Sequence, residues 1–491
     1  MVIVNMDIYE RLISICGTKN VSKDDEKLKN YSKDLSFYPE KLPSFVIWPR
    51  NTKEVEKIVR LANELKFSIV TVSSSQGPRH HGDTIPRKSN SIVVDLSKMK
   101  SVLNIDRKNR VVMIEPGVTF GELIPEVQKG GLRLLLPLYP SNSISVVASA
   151  LEREPITIPR YHWDSSDPLL CTEVIFGTGD LLRTGTAAGP GTIKEQQKTG
   201  QAQVNPMGPT QFDPFRLIQG SQGSLGIVTW ATLKLELIPD VQKVCHLQSG
   251  NLQELLDFQC ELIRYRLCDE MFILNNLNLA CLTKETSLEI YDRAKNLKKW
   301  NLIYILAGNG KLSSDKVAYL TADINDIIEE RKLDDLKRES PIIDSEVLTV
   351  VNKASASDWR SRLKGGYQDI FFISNIDRIP EFIDMVENHV SQDLGVYVQA
   401  INQGTSYHCE FDLFYDPSNG SDINRLKNKF LDVSVKLMDA GAFFNRPYGL
   451  WAPEVYKRHD ETIIKALKKV KKIFDPNNVL NPGILCYEDE K

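Results

Sequence analysis

Residues 71 to 86, TVSSSQGPRHHGDTIP, form a stretch of small and cationic residues that could hold an anion. Serines and glycines leave backbone N–H groups accessible, and successive N–H groups in a tight turn form an anion-binding concavity. Arg79, His80 and His81 would add charge-assisted hydrogen bonds to the same anion. The alternative is an ordinary surface turn in which His80 and His81 face solvent. The order of the flanking segments favours the ligand loop.

A second group of reactive residues lies in SYHCEFD, where His408 and Glu410 are two positions apart. Side chains two apart on a strand share a face, so this pair could be a general base with its orienting carboxylate. It could also be part of a divalent metal site, or a strand histidine satisfied by a neighbour. Tyr407 and Tyr448 are further candidates for accepting a substrate proton.

The segments before the loop predict a strand, a helix and a second strand. FVIWP, from Phe45, is a short apolar strand that ends at Pro49, and Asn51 with Glu54 predicts a helix start of the capping-box type. The helix has apolar residues at helical spacing, and FSIVTV is a buried strand that leads directly into the loop.

After the loop, the sequence predicts two more strands and a helix from Thr119 to Gly130. SVVASALERE predicts a short helix whose N-terminus could form a second cradle for an anionic or polar group. GLRLLLPL, just before it, could equally be plain core. Residues 172 to 184 predict a hairpin with its turn at Gly179. Three later glycines permit close approach of the backbone to a ligand: Gly220, Gly223 and Gly226.

The composition along the chain indicates three regions. Residues 185 to 214 are rich in Gly, Pro, Gln and Thr and are typical of a functional loop or contact surface. Past Pro239 the chain alternates charged helices and strands to about Ala440, and then a compact tail follows. We therefore predict domains at 1–240 and 241–440, with residues 441–491 returning to the first domain.

Composition excludes several classes of protein. With 491 residues, 42% hydrophobic and 25% charged, the chain is typical of a globular enzyme of two or three domains. A net charge of -3 gives no reason to expect nucleic acid or a membrane surface, and the run Lys468 to Lys472 is expected to be a solvated helix face. No C-x-x-C pair, basic N-terminal region or membrane-length apolar run occurs, so we expect reduced cysteines and a cytoplasmic location.

Several of these segments together resemble the flavoprotein family of vanillyl-alcohol oxidase and p-cresol methylhydroxylase (4-cresol dehydrogenase), with D-lactate and glycolate dehydrogenases as more distant relatives. The likeness runs from about residue 40 to residue 484. It is carried by VIWPRNTKEVEKIVRLAN, the loop at 71 to 86, IEPGVTFGEL, SVVASALERE followed by HW, LLRTG, SQGSLGIVT, KKWN and FDPNNVLNPG.

The resemblance implies an α+β protein with a two-domain PCMH-type FAD-binding fold, in which an antiparallel sheet with helices caps the isoalloxazine ring. It places His162 beside the flavin face, and Arg446 where phenol-oxidising relatives bind an anionic substrate oxygen, which suits a fork of N–H donors. With Tyr161, Tyr448 and His408 these form the candidate catalytic set. The expected cofactor contacts are Pro49, Ser74, Ser75, Gln76, Gly77, Pro78, Arg79, His80, Gly82, Asp83, Pro140, Ser145, Ser149, Gly226, Ile227, Val228 and Arg446.

The chain departs from the family pattern at several positions. Asn445 replaces a tyrosine before the arginine, Tyr161 replaces an acidic residue before the His-Trp pair, and the segment around Tyr367 lacks the histidine through which the oxidase attaches FAD. Tyr397 lies near the position of a tyrosyl link in p-cresol methylhydroxylase, although only with a gap. We therefore expect non-covalent FAD and a substrate other than a 4-alkylphenol. The metal-binding segment of lactate-type relatives is absent, so we expect no metal.

The expected function is that of an FAD-dependent dehydrogenase that takes a hydride from a small hydroxylated or carboxylated substrate. Electrons would pass to a partner protein with iron–sulfur centres or a cytochrome, with residues 185 to 214 as a docking element, and the chain would form a homo-oligomer or a subunit of a complex. Two alternatives stay open: a flavin-binding electron-transfer or scaffold subunit without its own substrate, and an oxidase of phenolic compounds that uses oxygen.

Overall fold

A computed structural model describes residues 2–159, 167–209, 215–331, 333, 337–338, 341–390 and 393–487. These residues form 17 β-strands and 16 α-helices. The strands are β1 (Val21–Ser22), β2 (Phe45–Ile47), β3 (Ser68–Val72), β4 (Ser91–Asp95), β5 (Val102–Asp106), β6 (Val111–Ile114), β7 (Leu132–Leu134), β8 (Leu169–Phe176), β9 (Leu181–Arg183), β10 (Gly226–Leu237), β11 (Val241–Ser249), β12 (Glu270–Asn275), β13 (Trp300–Gly308), β14 (Lys337–Arg338), β15 (Gly366–Ser374), β16 (Leu394–Ile401) and β17 (Ser406–Tyr415). The helices are α1 (Val2–Cys16), α2 (Asp25–Tyr31), α3 (Thr52–Leu65), α4 (Phe120–Gln128), α5 (Val146–Glu152), α6 (Ile193–Lys198), α7 (Phe215–Ile218), α8 (Leu252–Arg264), α9 (Asn276–Thr283), α10 (Ser287–Asn296), α11 (Ser313–Glu330), α12 (Pro341–Val351), α13 (Ile379–His389), α14 (Gly420–Asp439), α15 (Trp451–Tyr456) and α16 (Glu461–Phe474).

The first sheet has four strands in the order β1-β2-β4-β3, and β2 and β3 are parallel to β4. Helix α3 connects β2 to β3, as parallel strands require a crossover. It begins at the predicted place, since Asn51 Oδ1 accepts the Glu54 N–H at 3.1 Å. The Glu54 carboxylate in turn accepts a hydrogen bond from the Arg50 N–H at 2.9 Å. The loop after Val72 therefore starts at the carboxyl end of a parallel strand, where such sheets bind ligands.

The second sheet has six antiparallel strands in the order β5-β6-β10-β8-β9, with β7 also paired with β10. The predicted hairpin is formed by β8 and β9, and Gly179 supplies a φ of 86° in its turn. Helix α4 begins with a capping box between Thr119 and Glu122. Helix α5 begins where Ser145 Oγ accepts the Ala148 N–H at 3.1 Å. Leucines of GLRLLLPL are buried in the core that these helices share with the sheet.

The third sheet has seven antiparallel strands in the order β14-β11-β13-β12-β16-β17-β15. Glu410 of β17 pairs with Phe371 of β15 and with Tyr397 of β16, while Asp369 pairs with Asp412. Directly opposed side chains in antiparallel strands lie on the same face, so these five side chains share one face of the sheet. This face faces the cavity described below.

The C-terminal segment returns to the first sheet after α16. Ile69 of β3 donates its N–H to Val479 O at 2.7 Å and accepts the Asn481 N–H at 2.7 Å. Residues 479 to 481 thus extend the first sheet beside β3.

The α+β class predicted from sequence is confirmed. The domain boundaries at residues 240 and 440 stay a prediction. The strands of the seven-stranded sheet lie between Val241 and Tyr415. The polar segment after residue 185 contains α6, and the side chain of Gln196 in this helix is buried. The predicted solvated face is wrong for Lys471, which is buried against Asp475. In the described ranges, every helix is too short or too polar to cross a membrane.

Candidate active site

A cavity of about 270 Å³ is lined by loops of the first two sheets and by strands of the third. The loop contributions come from residues 71 to 84, 137 to 155 and 218 to 228. They contain the three segments that the sequence predicted as ligand contacts. The cavity therefore lies where the cofactor was expected.

The loop after β3 is fixed by the segment that precedes β2. The Gly82 N–H donates to Asp34 Oδ2 at 2.6 Å and so already has a protein partner; its role as an anion donor stays a prediction. The Arg79 guanidinium donates to the carbonyls of Asn30, at 2.8 Å, and Lys33, at 3.3 Å. These contacts connect the loop to the segment before β2, and they engage the guanidinium of Arg79 although this residue also lines the cavity.

The predicted cofactor contacts divide into two sets. Those that line the cavity are Ser74, Pro78, Arg79, His80, Asp83, Pro140, Ser149, Gly226, Ile227, Val228 and Arg446. Those outside its lining are Pro49, Ser75, Gln76, Gly77, Gly82 and Ser145. Ser145 caps α5 and donates its N–H to Ser74 Oγ at 2.9 Å, so it contacts a lining residue without lining the cavity itself. A Cβ on Gly77 would lie 3.0 Å from the Ser143 oxygen, so this residue packs behind the wall.

Arg446 and Tyr448 line the cavity beside Phe371. Arg446 is only 4% exposed, and its guanidinium carbon lies 4.1 Å from the centre of the Phe371 ring. Within the described part of the chain, Arg446 forms no ion pair, and Arg446 Nε and Tyr448 Oη are buried without hydrogen-bond partners. A buried, unpaired cation is costly unless a ligand supplies the opposite charge. Burial raises the pKa of Tyr448 well above its usual value, which favours a neutral donor over the predicted base.

His408 and Glu410 form the predicted pair, with His408 Nε2 3.0 Å from Glu410 Oε2. Glu410 lines the cavity and His408 does not, so the carboxylate is the member of the pair that lies at the cavity; the catalytic role of His408 stays a prediction. Burial lowers the pKa of His408 and keeps it neutral. Burial by itself raises the pKa of Glu410, but Arg360 and His408 bring it below its usual value. Arg360 Nε donates to Glu410 Oε1 at 2.7 Å.

His80 and His81 are largely buried, so the solvent-facing alternative is wrong. His81 Nε2 lies 3.7 Å from Asp369 Oδ2, and its Nδ1 lies 3.8 Å from Glu152 Oε2. Burial lowers the pKa of His81, but Asp369, Glu152 and Asp83 together raise it to about 9. His81 is therefore an imidazolium at neutral pH.

His80 and Glu152 lie with His81 in the cavity wall. His80 Nε2 lies 3.3 Å from Asp358 Oδ2, and its ring centre is 4.6 Å from that of Tyr367. Burial raises the pKa of Glu152 to about 8, with His81 acting in the opposite direction. Two adjacent loop histidines thus each face a carboxylate carried by the segment around β15.

Several functional candidates were missed by sequence analysis. They are Glu152, Asp358, Arg360, Asp369 and Phe371. A signal was present only in β17, where His408, Glu410 and Asp412 occupy every second position of an apolar strand and indicate a buried polar face; the missed residues lie outside that strand. Tyr161 and His162, the remaining catalytic candidates, lie outside the described residues.

The cavity wall fits a large cofactor with both polar and apolar parts. Thr71 Oγ1 is buried in the lining and has no hydrogen-bond partner in the described ranges. A Cβ on Gly223 would meet nothing closer than Thr71, at 3.8 Å, whereas one on Gly226 would lie 2.4 Å from Val174. The backbone is therefore bare at Gly223, while Leu138 and Val147 supply apolar surface.

Comparison with known proteins agrees with this fit. Residues 43–185 match a family model described as FAD binding domain, and residues 451–485 match one described as FAD linked oxidases, C-terminal domain. The chain is 24% identical to glycolate oxidase subunit GlcD of Bacillus subtilis (strain 168), over 99% of this chain and 98% of that protein. It is 24% identical to mitochondrial D-lactate dehydrogenase [cytochrome] of Arabidopsis thaliana, over 98% of this chain and 80% of that protein.

The fold is also that of a solved flavoprotein. A crystal structure of p-cresol methylhydroxylase with substrate bound superposes with a TM-score of 0.83 at 18% identity, over 99% of this chain and 97% of that one. The expected PCMH-type fold is therefore confirmed. The chain therefore contains an FAD binding domain and the C-terminal domain of FAD linked oxidases, and it is an enzyme whose cofactor is FAD.

Proposed function

We propose that this enzyme is a dehydrogenase that takes a hydride from a small hydroxylated substrate whose carboxylate binds Arg446. The observation that supports this most directly is the buried guanidinium of Arg446, which lines the cavity without an ion-pair partner in the described residues. The relatives named for glycolate and D-lactate make a 2-hydroxy acid the first substrate class to test.

The charge pattern of the cavity supports a carboxylate at this position. The positive charge of His81 is matched by Asp369, and that of Arg360 by Glu410 and Asp412. Arg446 has no carboxylate partner among the residues that the structure describes, so its charge is available to the substrate. A guanidinium can hold both oxygens of a carboxylate, and the neutral Tyr448 hydroxyl can add one donor.

The proton of the substrate hydroxyl needs an acceptor in the wall. We assign this role to Glu410, because it is the cavity-lining carboxylate of the His408–Glu410 pair and the neutral His408 behind it orients it through the hydrogen bond to Oε2. Arg360 donates a hydrogen bond to the other oxygen of this carboxylate, Glu410 Oε1, and so holds it in place. Bound FAD would supply the hydride acceptor.

The electron acceptor and the mode of FAD attachment are also part of the proposal. A full-length relative is named as a cytochrome-linked dehydrogenase, which supports transfer to a cytochrome or iron–sulfur protein rather than to oxygen. Non-covalent FAD is supported at Tyr397, whose hydroxyl donates to Gln399 Oε1 at 3.0 Å. Acid precipitation should therefore release all the flavin into the supernatant; flavin that stays with the pellet would contradict this point.

Anaerobic titration of the purified enzyme tests the function. We expect 2-hydroxy acids to bleach the flavin absorption, and alcohols or phenols without a carboxylate to leave it unchanged. Bleaching by phenols alone would contradict the substrate class, and no bleaching by any compound would favour the scaffold alternative. Readmission of oxygen should reoxidise the flavin slowly; rapid, stoichiometric peroxide formation would identify an oxidase.

A further inference from the structure

The side chain of Asn481 joins two loops of the cavity wall from behind. Asn481 lies in the C-terminal segment beside β3 and is buried. Its Nδ2 donates to Asp83 O at 2.9 Å and to Gln222 O at 2.8 Å. Asp83 and Gln222 both line the cavity, and Asn481 does not. One amide group thus sets the spacing of two loops that are far apart in sequence.

These two hydrogen bonds also orient the peptide groups of the loops. In a planar trans peptide the carbonyl and the following N–H point in opposite directions. Because the carbonyls of Asp83 and Gln222 point to Asn481, the N–H groups of Thr84 and Gly223 point away from it. Thr84 and Gly223 both line the cavity. Neither N–H donates to another group in the ranges that the structure describes.

Lys471 fixes the next part of the same loop from the same side. Its buried Nζ donates to the carbonyl of Ser224, to Leu480 O at 2.8 Å and to Asp475 Oδ2 at 2.5 Å. The 222–224 loop therefore has two of its carbonyls bound by residues of the C-terminal segment. This segment is a support for the cavity wall as well as an extension of the first sheet.

We propose that Asn481 is a positioning residue for FAD, because it turns the N–H groups of Thr84 and Gly223 towards acceptor oxygens of the cofactor. Both N–H groups belong to residues that line the cavity and have no protein acceptor in the described ranges, so each gains a hydrogen-bond partner when the cofactor binds. The role concerns cofactor affinity and is independent of which substrate the enzyme oxidises.

The substitution Asn481→Gly in the full chain tests this proposal. Asn481 has a φ of 38°, which glycine adopts without strain, so the variant loses the amide and keeps the backbone. Asn477→Gly is the matched control, since Asn477 lies in the same segment but contacts only Asn63, on the surface. The dissociation constant for FAD is measured on the apo-protein by quenching of flavin fluorescence, and the melting temperature is measured with and without FAD.

We expect Asn481→Gly to raise the dissociation constant about tenfold or more, and the control to change it less than about twofold. The rise in melting temperature that FAD produces should shrink in Asn481→Gly only, because that rise depends on the dissociation constant. A purely structural role would lower the melting temperatures with and without FAD by the same amount, so that their difference stays at the parental value. This result would overturn the proposal. If the glycine variant does not fold, Asn481→Asp keeps the size of the side chain and removes the N–H donors; parental FAD affinity in that variant would overturn it equally.

Discussion

The imidazole of His81 stacks on the phenol ring of Tyr448, with ring centres 4.3 Å apart and planes 11° from parallel. The two residues come from the loop after β3 and from the segment that precedes α15. His81 also faces Asp369 of β15 and Glu152 of α5. A single imidazolium therefore holds together four parts of the chain at the edge of the cavity.

The stability of the protein should fall as the pH rises through the titration of His81. The pKa of His81 in the folded chain, about 9, lies above its ordinary 6.5, so the stabilisation is complete below about pH 6.5 and is lost as the pH rises through 9. Melting temperatures between pH 6 and 9.5 should show this fall in the parent and much less of it in His81→Gln. His459→Gln, outside the cavity wall, is the control. An unchanged slope in His81→Gln would contradict the prediction.

Replacement of Arg446 by methionine should weaken substrate binding and spare the cofactor. Loss of a charge-assisted hydrogen bond of about 1.5–3 kcal/mol corresponds to an increase in KM of about 10- to 100-fold for a carboxylate substrate. Flavin absorbance per protein should stay at the parental level. Arg458→Met removes an exposed arginine paired with Asp439 and should change neither quantity. Unchanged kinetics in Arg446→Met would remove this residue from the substrate site.

Glu410→Gln should slow flavin reduction because the cavity loses its proton acceptor. We expect the anaerobic rate of reduction, measured by stopped flow, to fall about 100- to 10,000-fold with FAD still bound. His408→Gln should have a smaller effect, since His408 acts behind Glu410. The exposed substitution Glu381→Gln serves as control. A parental reduction rate in Glu410→Gln would assign the proton to another group.

Gly449→Ala should displace His81 and destabilise the fold. Gly449 has a φ of 44°, and an added Cβ would lie 2.8 Å from the backbone oxygen of His81. Strain and overpacking together should lower the free energy of unfolding by about 1–3 kcal/mol in a denaturant titration. Gly420→Ala places a Cβ in open space and should leave stability nearly unchanged. Equal stability of the two variants would mean that the 449 turn can move away from His81.

The first sheet and its loop could be predicted from sequence because their signals are local. The Asn51 cap and the run of apolar residues in β3 each act within a few positions, and they place the ligand loop at a strand end. The resemblance of eight segments, this loop among them, to known flavoproteins then implied the cofactor. None of this required knowledge of long-range pairing.

The wall that faces the substrate could not be predicted in the same way. Whether Glu410 or His408 meets the cavity depends on how β17 packs against its neighbours, and strand periodicity puts both on one face. The availability of Arg446 depends on which carboxylates lie nearby in space. Lys471 shows the same limit, because its helix pattern indicates a solvated residue while tertiary contacts bury it.

The pairing of Ile69 with residues 479 to 481 has a consequence for biosynthesis. A protein chain leaves the ribosome from its N-terminus, and its early regions begin to fold first. The outer edge of β3 is therefore exposed until residues 479 to 481 have been made, long after β3 itself. Loading with FAD is thus expected only after residues 479 to 481 have been made and paired with β3.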